Sequence, residues 1–517
     1  MKRFLKTVTI ASAAVLSLAV LSACGPKNRD FNVDMTVDTR GVTIQFWTGF
    51  GAVINSTLEP MLTEFTEETG IIVEYESKGG YDALQQAINL SATSESYPHI
   101  ANGYPDHFAG YIASDIILRL DGFIENDKNI PDSRDEGAFT ELPDFDIDDF
   151  YPSYMVENQS LEFDADGNPY TLGIPFNKST EVAVVNKTAF DLFASLDSTI
   201  KIPETWDEVA TMSTKIRGLM TSKGYYGKVV GDDTNAYPDT DSMPSGVKQL
   251  ISFADVTEQN FRVMSYDSQS NYFITGVRQW GGAYTEMDPQ TRKGYVTFDN
   301  DGTRGMLTKM RELFDANHIG IPQTWEEAQY SSNPFKLGQS LMNIGSSGGV
   351  INAVPQGDAF VVEAHPIPYH AADKKYVISQ GTNLALFDKG SDAEKVAAWK
   401  LLKYLTQYKN GQFAAGTGYY PTGVRSFESE EYQDYYTNIF TSSGDKLKVG
   451  AAKVNSDIYN GDDSTWLKFV DPGFVGSSYI RQEVNFIMPE LFYGNPRKTV
   501  QEIIDYYYSI FTDYVRN

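Results

Sequence analysis

Arg481 is the side chain in this sequence best equipped to grip an anion. Its guanidinium is a rigid planar fork that matches phosphate or carboxylate with two hydrogen bonds at once. The alternative for it is a surface ion pair with one of the chain's many acids. Ser346 and Ser347 precede Gly348-Gly349, a run suited to presenting hydroxyls and backbone amides to an oxyanion. Ser179 and Thr180 offer further hydroxyls, with a satisfied strand pair as the alternative. Trp47, Tyr81 and Tyr104 stand at strand-to-loop edges where rings can meet a ligand. Of Tyr419 and Tyr420, one is expected to face a ligand and the other to pack. Gly281 and Gly282 lack the side chains that keep a ligand away from backbone N–H groups.

Covalent chemistry finds much less support. The five histidines, at 99, 107, 318, 365 and 370, include no HExxH and no pair at helical ligand spacing. No Walker lysine motif and no Gly-x-Ser-x-Gly elbow occurs. Gly416-Thr417-Gly418 lacks the third glycine of a dinucleotide loop. Asp164-Ala165-Asp166-Gly167-Asn168 opens like a calcium loop, but Pro175 occupies the position that needs a bidentate Glu; a hairpin turn is the simpler expectation. Carboxylates are so numerous that a glycosidase dyad could always be nominated, and that abundance removes its value as a signal. No metal and no cofactor are expected. A secreted glycan hydrolase stays open as a reading, and it would need two carboxylates about 5–9.5 Å apart across a cleft.

The elements that must position these residues can be read in outline. Val42 to Trp47 alternates as a strand, Leu58, Met61, Leu62 and Phe65 mark a helical face ending at Gly70, and Ile71 to Tyr75 restarts as a strand. Strand–helix–strand suggests a parallel sheet with a crossover helix. Thr205, Thr324 and Ser391 each precede a Glu by three residues, the capping-box spacing, and so predict helix starts. Thr499 to Tyr514 reads as a final helix with Ile503, Tyr507 and Ile510 on one stripe. Glu125–Asp149 and Gly224–Ser245 are polar surface elaborations.

The N-terminus sets the compartment. Lys2, Arg3 and Lys6 precede an apolar run from Val8 to Val20, about 13 residues and too short to span a bilayer. Leu21-Ser22-Ala23-Cys24 then resembles a lipobox, in which the cysteine is acylated and begins the mature chain. Cys24 is the only cysteine, so an intramolecular disulfide is excluded. Residues 1–23 are expected to be a signal peptide and 24–40 a flexible tether from the membrane. The remaining length exceeds one core and predicts two or more domains. A formal net charge of −27, from 69 acidic and 42 basic residues, argues against nucleic acid and anionic headgroups as partners.

Several motifs in order resemble the extracellular solute-binding proteins of ABC importers that take up sugars and related solutes. They are Phe46-Trp47-Thr48, Leu172 to Thr180 with Val184 to Lys187, Pro203-Glu204-Thr205-Trp206-Asp207-Glu208, Trp280 to Tyr284, Phe335 to Ser346 (with Gln339 where Lys is usual), Gly381 to Leu386 and Thr417 to Pro421. Asn177 to Thr180 and Phe474 to Arg481 are similar to the glycerol-3-phosphate-binding members, with Lys178 replacing a Ser. The resemblance implies an α/β, two-lobed fold with strands crossing between lobes. Lobe one would hold 41–175 and 384–418, lobe two 176–383 and 419–517. A carbohydrate or glycerophosphate would bind between them, with Gly381 among the contacts and Arg481 as a phosphate clamp. A membrane permease would be the partner.

Overall fold

The computed structural model describes residues 31–130, 144–230, 251–288, 290–328, 330–461 and 464–516. The leader with Cys24, and residues 131–143 and 231–245 of the two polar elaborations, lie outside the described residues.

Ten strands build the main sheet: β1 (Thr43–Thr48), β2 (Ile72–Ser77), β3 (Ile100–Gly103), β4 (Ile174–Asn186), β5 (Arg262–Tyr266), β6 (Ile319–Gly320), β7 (Ser340–Ser346), β8 (Val362–His365), β9 (Lys375–Leu386) and β10 (Trp466–Phe469). Their order is β6-β5-β7-β4-β9-β3-β1-β2, with β8 also on β4 and β10 also on β9. The strands β1, β2 and β3 run parallel, as do β5, β6 and β7. Two long strands join these groups. In β4, Ile174–Thr180 pairs with β9, while Glu181–Val185 pairs with β7 and Ala183–Asn186 with β8. In β9, Asn383–Leu386 pairs with β3, while Lys375–Ile378 pairs with β10. Each long strand therefore belongs to one half of the molecule at one end and to the other half at the other. A third link passes beside them, where Tyr420 bridges to Lys178.

The buried apolar residues divide in the same way. One core runs from Val182 to Ile378 and resumes from Leu447 to Phe511. Two adjoining clusters take Met35 to Phe176 and Leu384 to Tyr419. Helix α1 (Ala52–Thr69) lays Leu58, Met61, Leu62 and Phe65 against the second group and ends on Gly70 in the left-handed region. Full burial of such side chains contributes about 1.5–3 kcal/mol each. The short helices Val424–Glu428 and Glu430–Thr437 pack on the helix Asn410–Thr417, beside the third link.

Local signals succeed at several helix starts. Thr205 accepts from the Glu208 amide, Ser391 and Glu394 cap each other's backbone, and Thr499 does the same with Glu502. At Thr324 the expected helix is absent. Pro322–Trp325 is a single 3-10 turn, and Glu326 leaves it in the left-handed region at φ 59°. The Thr324 hydroxyl accepts the Ile321 amide instead of capping a following helix. The tether also ends earlier than expected, because Met35 is buried, Phe31 stacks edge-on with Phe123, and the Asp34 amide donates to Asp392. Alternating apolar residues at 31, 33, 35 and 37 give this segment a face to bury. Asp164 closes the turn predicted for it by accepting from the Asp166 and Asn168 amides.

Candidate functional site

Parallel strands aim their carboxyl ends at one place. The residues that follow β1, β2, β3, β5 and β7 all open onto a cleft of about 1120 Å³, the position where open α/β sheets bind ligands. From the first half come the turn Gly49–Gly51 with the first turn of α1, the turn Gly79-Gly80 leading into helix α2 (Tyr81–Ser91), and the start of helix α3 (Pro105–Ala113). From the second half come Asp267 to Asn271 at the start of helix α4 (Gln269–Gln279), the turn after Ser346, and one side of helix α5 (Ser477–Val484). The crossing segments supply the floor through Ser179, Gln380, Gly381 and Tyr419.

Seven of the residues selected from sequence line this cleft: Tyr81, Tyr104, Ser179, Ser346, Gly381, Tyr419 and Arg481. Tyr81 and Tyr104 meet edge-on at 5.1 Å, and Tyr419 stacks on Phe413 at 6.1 Å. The Tyr81 and Tyr419 hydroxyls hydrogen-bond each other and reach the Asn177 amide. Asn177 in turn accepts from the Thr382 amide on β9 at 3.2 Å, so the floor tyrosines are tied to both crossing strands. Gly381 has φ 101°, and a Cβ there would lie 1.8 Å from the Asn177 carbonyl oxygen. No other residue fits where β4 and β9 approach this closely.

The other five stand elsewhere, each for a visible reason. Strand alternation turns Trp47 away from Phe46 and Thr48, to pack on the cluster beneath α2. Its ring face is occupied by the Lys78 ammonium at 3.6 Å. Thr180 is buried; its hydroxyl donates to the Ile378 carbonyl, and its amide donates to the Ser347 hydroxyl at 3.2 Å. These bonds tie Ser347 to the crossing strand β4, and Thr180 to the crossing strand β9. Gly281 and Gly282 cap the far end of α4, about 16 Å along the helix from its cleft end. There a Cβ on Gly282 would strike Asn300 at 2.4 Å. Their permissiveness serves a helix ending and close packing.

Arg481 faces the cleft with both arms engaged. One nitrogen donates to Asp471 at 2.9 Å and another to Asn271 at 2.8 Å. Asn271 exchanges a reciprocal amide pair with Gln380, at 2.9 Å each way. Tyr284 donates to the same Asp471 oxygen at 3.0 Å. Burial raises the Asp471 pKa, with Arg481 and Arg278 opposing the rise. Asp82, Asp106 and Asp267 also line the cleft, and His107 beside them is pushed toward its neutral form by burial. Asp267 is pushed up to about 6 by burial, while the Ser331 amide at 2.6 Å and Asn343 at 3.2 Å favour its charged form.

Sequence reasoning missed Asp267, Asn271 and Asn343. A usable signal existed at the first two: the strand Arg262–Tyr266 gives way to Asp267-Ser268, and the Ser268 hydroxyl caps α4 by accepting the Asn271 amide. Asn343 sits inside a strand and carries no such mark. Among the described residues no three His, Cys, Asp or Glu side chains group to hold a metal ion. No helix among them is long and apolar enough to cross a membrane.

Two lobes, joined by crossing strands and lining one cleft with polar groups and tyrosines, define a ligand-capturing protein of the two-lobed periplasmic-binding type. The model for the bacterial extracellular solute-binding proteins matches residues 60–439, and the chain belongs to that family. A search of the curated proteins gives no match. Solved structures of the same fold include UgpB from Mycobacterium tuberculosis in complex with glycerophosphocholine, at TM-score 0.63 and 15% identity over 91% of this chain and 98% of that one. Lmo0181 from Listeria monocytogenes in complex with cycloalternan gives 0.62 and 13% over 91% and 98%. The maltose/maltodextrin-binding domain MalE from Bdellovibrio bacteriovorus bound to maltotriose gives 0.59 and 15% over 92% and 100%.

Proposed function

We propose that this protein captures a neutral carbohydrate in the cleft between its lobes and delivers it to the membrane permease of an ABC importer. The observation that carries this reading is the commitment of Arg481. One N–H of each terminal nitrogen is bonded, to Asp471 and to Asn271, so a carboxylate already offsets the charge and the fork is held to the protein rather than offered whole to a phosphate. Beside His107, which burial pushes toward its neutral form, and the tyrosines, the wall carries the carboxylates Asp82, Asp106 and Asp267, which repel phosphate and accept hydrogen bonds from sugar hydroxyls. The floor adds tyrosine hydroxyls and the Asn177 amide, the mixed donors and acceptors that a polyol requires. The ligands of UgpB, Lmo0181 and MalE span both chemistries, so charge is the property that separates the candidates.

Lobe one would hold 41–175 with 384–418 and lobe two 176–383 with 419–517; the division of the cores near Phe176 and Leu384 supports this at the two long strands, while the helices Val424–Glu428 and Glu430–Thr437 pack on the lobe-one helix Asn410–Thr417. Closure would be a hinge motion at the three crossing segments. Cys24 would carry the lipid that keeps the protein at the outer face of the membrane, and its role would be binding without catalysis. Thermal-shift and calorimetric titration against neutral oligosaccharides, sn-glycerol 3-phosphate and glycerophosphocholine tests the reading. Saturable binding of a neutral sugar is expected. Tight binding of sn-glycerol 3-phosphate, lost in Arg481→Ala, would replace it with the phosphate alternative.

A further inference from the structure

Residues 31–40, ahead of β1, lie along lobe one as a strap. Phe31, Val33, Met35 and Val37 pack on the lobe-one core, and Met35 is 4% exposed within it. The Phe31 ring rests on Gly122, where a Cβ would lie 2.1 Å from it, and meets Phe123 edge-on at 5.1 Å. Hydrogen bonds hold the strap along its length. The Asp34 amide donates to Asp392 at 3.0 Å, and Lys400 donates to the buried Thr39 hydroxyl at 2.9 Å.

This strap lies on the side of lobe one away from the cleft. It feeds the amino end of β1, whereas the cleft lies beyond the carboxyl ends. Asp392 opens the helix Asp392–Lys403, which follows β9. Because β9 runs antiparallel to β3, with Leu386 level with Ile100, that helix also starts at the amino edge. Gly122, Phe123 and Asp392 are not among the residues lining the cleft. Cys24 stands seven residues before Phe31 and 18 before Val42. A chain spans at most about 3.6 Å per residue, so the longest leash is about 25 Å from a docked Phe31 and about 65 Å from Val42. We propose that the strap makes lobe one the tethered lobe: a lipid on Cys24 would hold the side bearing Phe31 within about 25 Å of the bilayer, leaving lobe two to swing. This rests on the acylation of Cys24 proposed above.

The test is energy transfer from single dyes on the full-length lipoprotein to acceptor-tagged lipids in phosphatidylcholine–phosphatidylglycerol vesicles. A lipid on the Cys24 sulfur leaves no thiol, so an added cysteine alone takes a maleimide dye. Glu125 is exposed on the helix Asp121–Asn126, beside Phe123. Lys223 is exposed at the end of the helix Trp206–Lys223, whose Arg217 reaches the Phe261 carbonyl at the amino edge of lobe two. Transfer from Glu125→Cys should exceed that from Lys223→Cys at least about twofold. Phe31→Ala with Met35→Ala should level the two. So should about twelve Gly/Ser residues inserted between Asn28 and Arg29, which lengthen the leash by about 40 Å without touching the strap. If the double substitution unfolds lobe one, the insertion alone decides. Hydrogen exchange over 31–40 reads docking without the membrane: it should be slow in the wild type and the insertion variant, and at least about tenfold faster in the double substitution. Equal transfer from both sites in the wild type, a difference that survives the insertion, or fast wild-type exchange would overturn the strap. Maleimide labelling of the chain without an added cysteine would show a free Cys24 thiol. It would overturn the anchor reading, and the tethering with it, while leaving ligand capture intact.

Discussion

Lys178 and Glu157 pair where solvent reaches neither, with side chains 0% and 4% exposed, whereas Arg481 and Asp471 pair at a cleft wall that leaves them 27% and 12% exposed. The first pair joins the short helical segment Val156–Gln159 to β4, and Asn383 of β9 donates to the same Glu157 oxygen at 2.8 Å. Lys178 also donates to the Gly381 carbonyl at 3.4 Å. Burial pulls the Lys178 pKa down, and the Glu157 carboxylate opposes it. A dry pair holds only when further hydrogen bonds complete both partners, and here those bonds run to both crossing strands. The Arg481 pair has one wet side. One pair fixes where the strands cross; the other sets a cation and a carboxylate side by side on the cleft wall.

Breaking the dry pair should produce the largest effect. Lys178→Met leaves Glu157 buried without the cation bonded to it, with only the more distant Lys468 nearby. That costs about 3–5 kcal/mol, read as a fall in the denaturant midpoint at constant slope. The loss should exceed that of Arg481→Met, where water can reach the abandoned Asp471 wall. Equal losses would mean that solvent access does not separate the two pairs.

Lys178 also shows what the sequence could and could not disclose. Within Asn177-Lys178-Ser179-Thr180 it read as a substitution in a ligand motif; its partner lies 21 residues upstream, in a stretch with no pattern linking the two. The helix caps at Thr205 and Ser391 were legible because donor and acceptor lie within one turn; the same spacing at Thr324 led to no helix. The strand ends were legible as edges, which found Tyr81 and Tyr104. Trp47 misled for the same reason: strand alternation decides which face a side chain takes, and which face borders the cleft depends on strand order, a non-local fact. Gly281-Gly282 was a true signal of close approach with the wrong neighbour assigned.

A middle case is a buried charge with no cation partner. Glu181, on β4, is fully buried and accepts from the Tyr266 hydroxyl at 2.7 Å and the Thr275 hydroxyl at 2.8 Å. Burial pushes its pKa up to about 7, against those hydrogen bonds and the more distant Arg481. The folded state therefore holds a proton that the unfolded chain has released, and stability should fall as pH rises from about 4.5 to about 7. Glu181→Gln should flatten that slope, with a gain of roughly 1–3 kcal/mol at pH 8 and little change at pH 4.5. Melting curves across this range check it; a wild-type slope retained in the variant would assign the dependence to other groups.

The smallest effect sharpens the comparison furthest. Replacing both members of the cleft pair, Arg481→Met with Asp471→Asn, removes two charges without stranding either, and the amide oxygen that replaces the carboxylate would still accept the Tyr284 hydroxyl. Exchanging a whole ion pair for neutral groups is often close to neutral, so the double variant should unfold within about 1 kcal/mol of wild type. Arg481→Met alone should cost more than the double, because it leaves Asp471 without its cation. The difference between them, from a double-mutant cycle in chemical denaturation, isolates the coupling of the pair. If the pair serves the wall rather than a ligand anion, the double variant should also keep its affinity for a bound neutral sugar within about threefold, or ~0.7 kcal/mol. A collapse of binding in the double variant, with stability intact, would mean that the guanidinium reaches the ligand after all and turns from Asp471 when the cleft is filled.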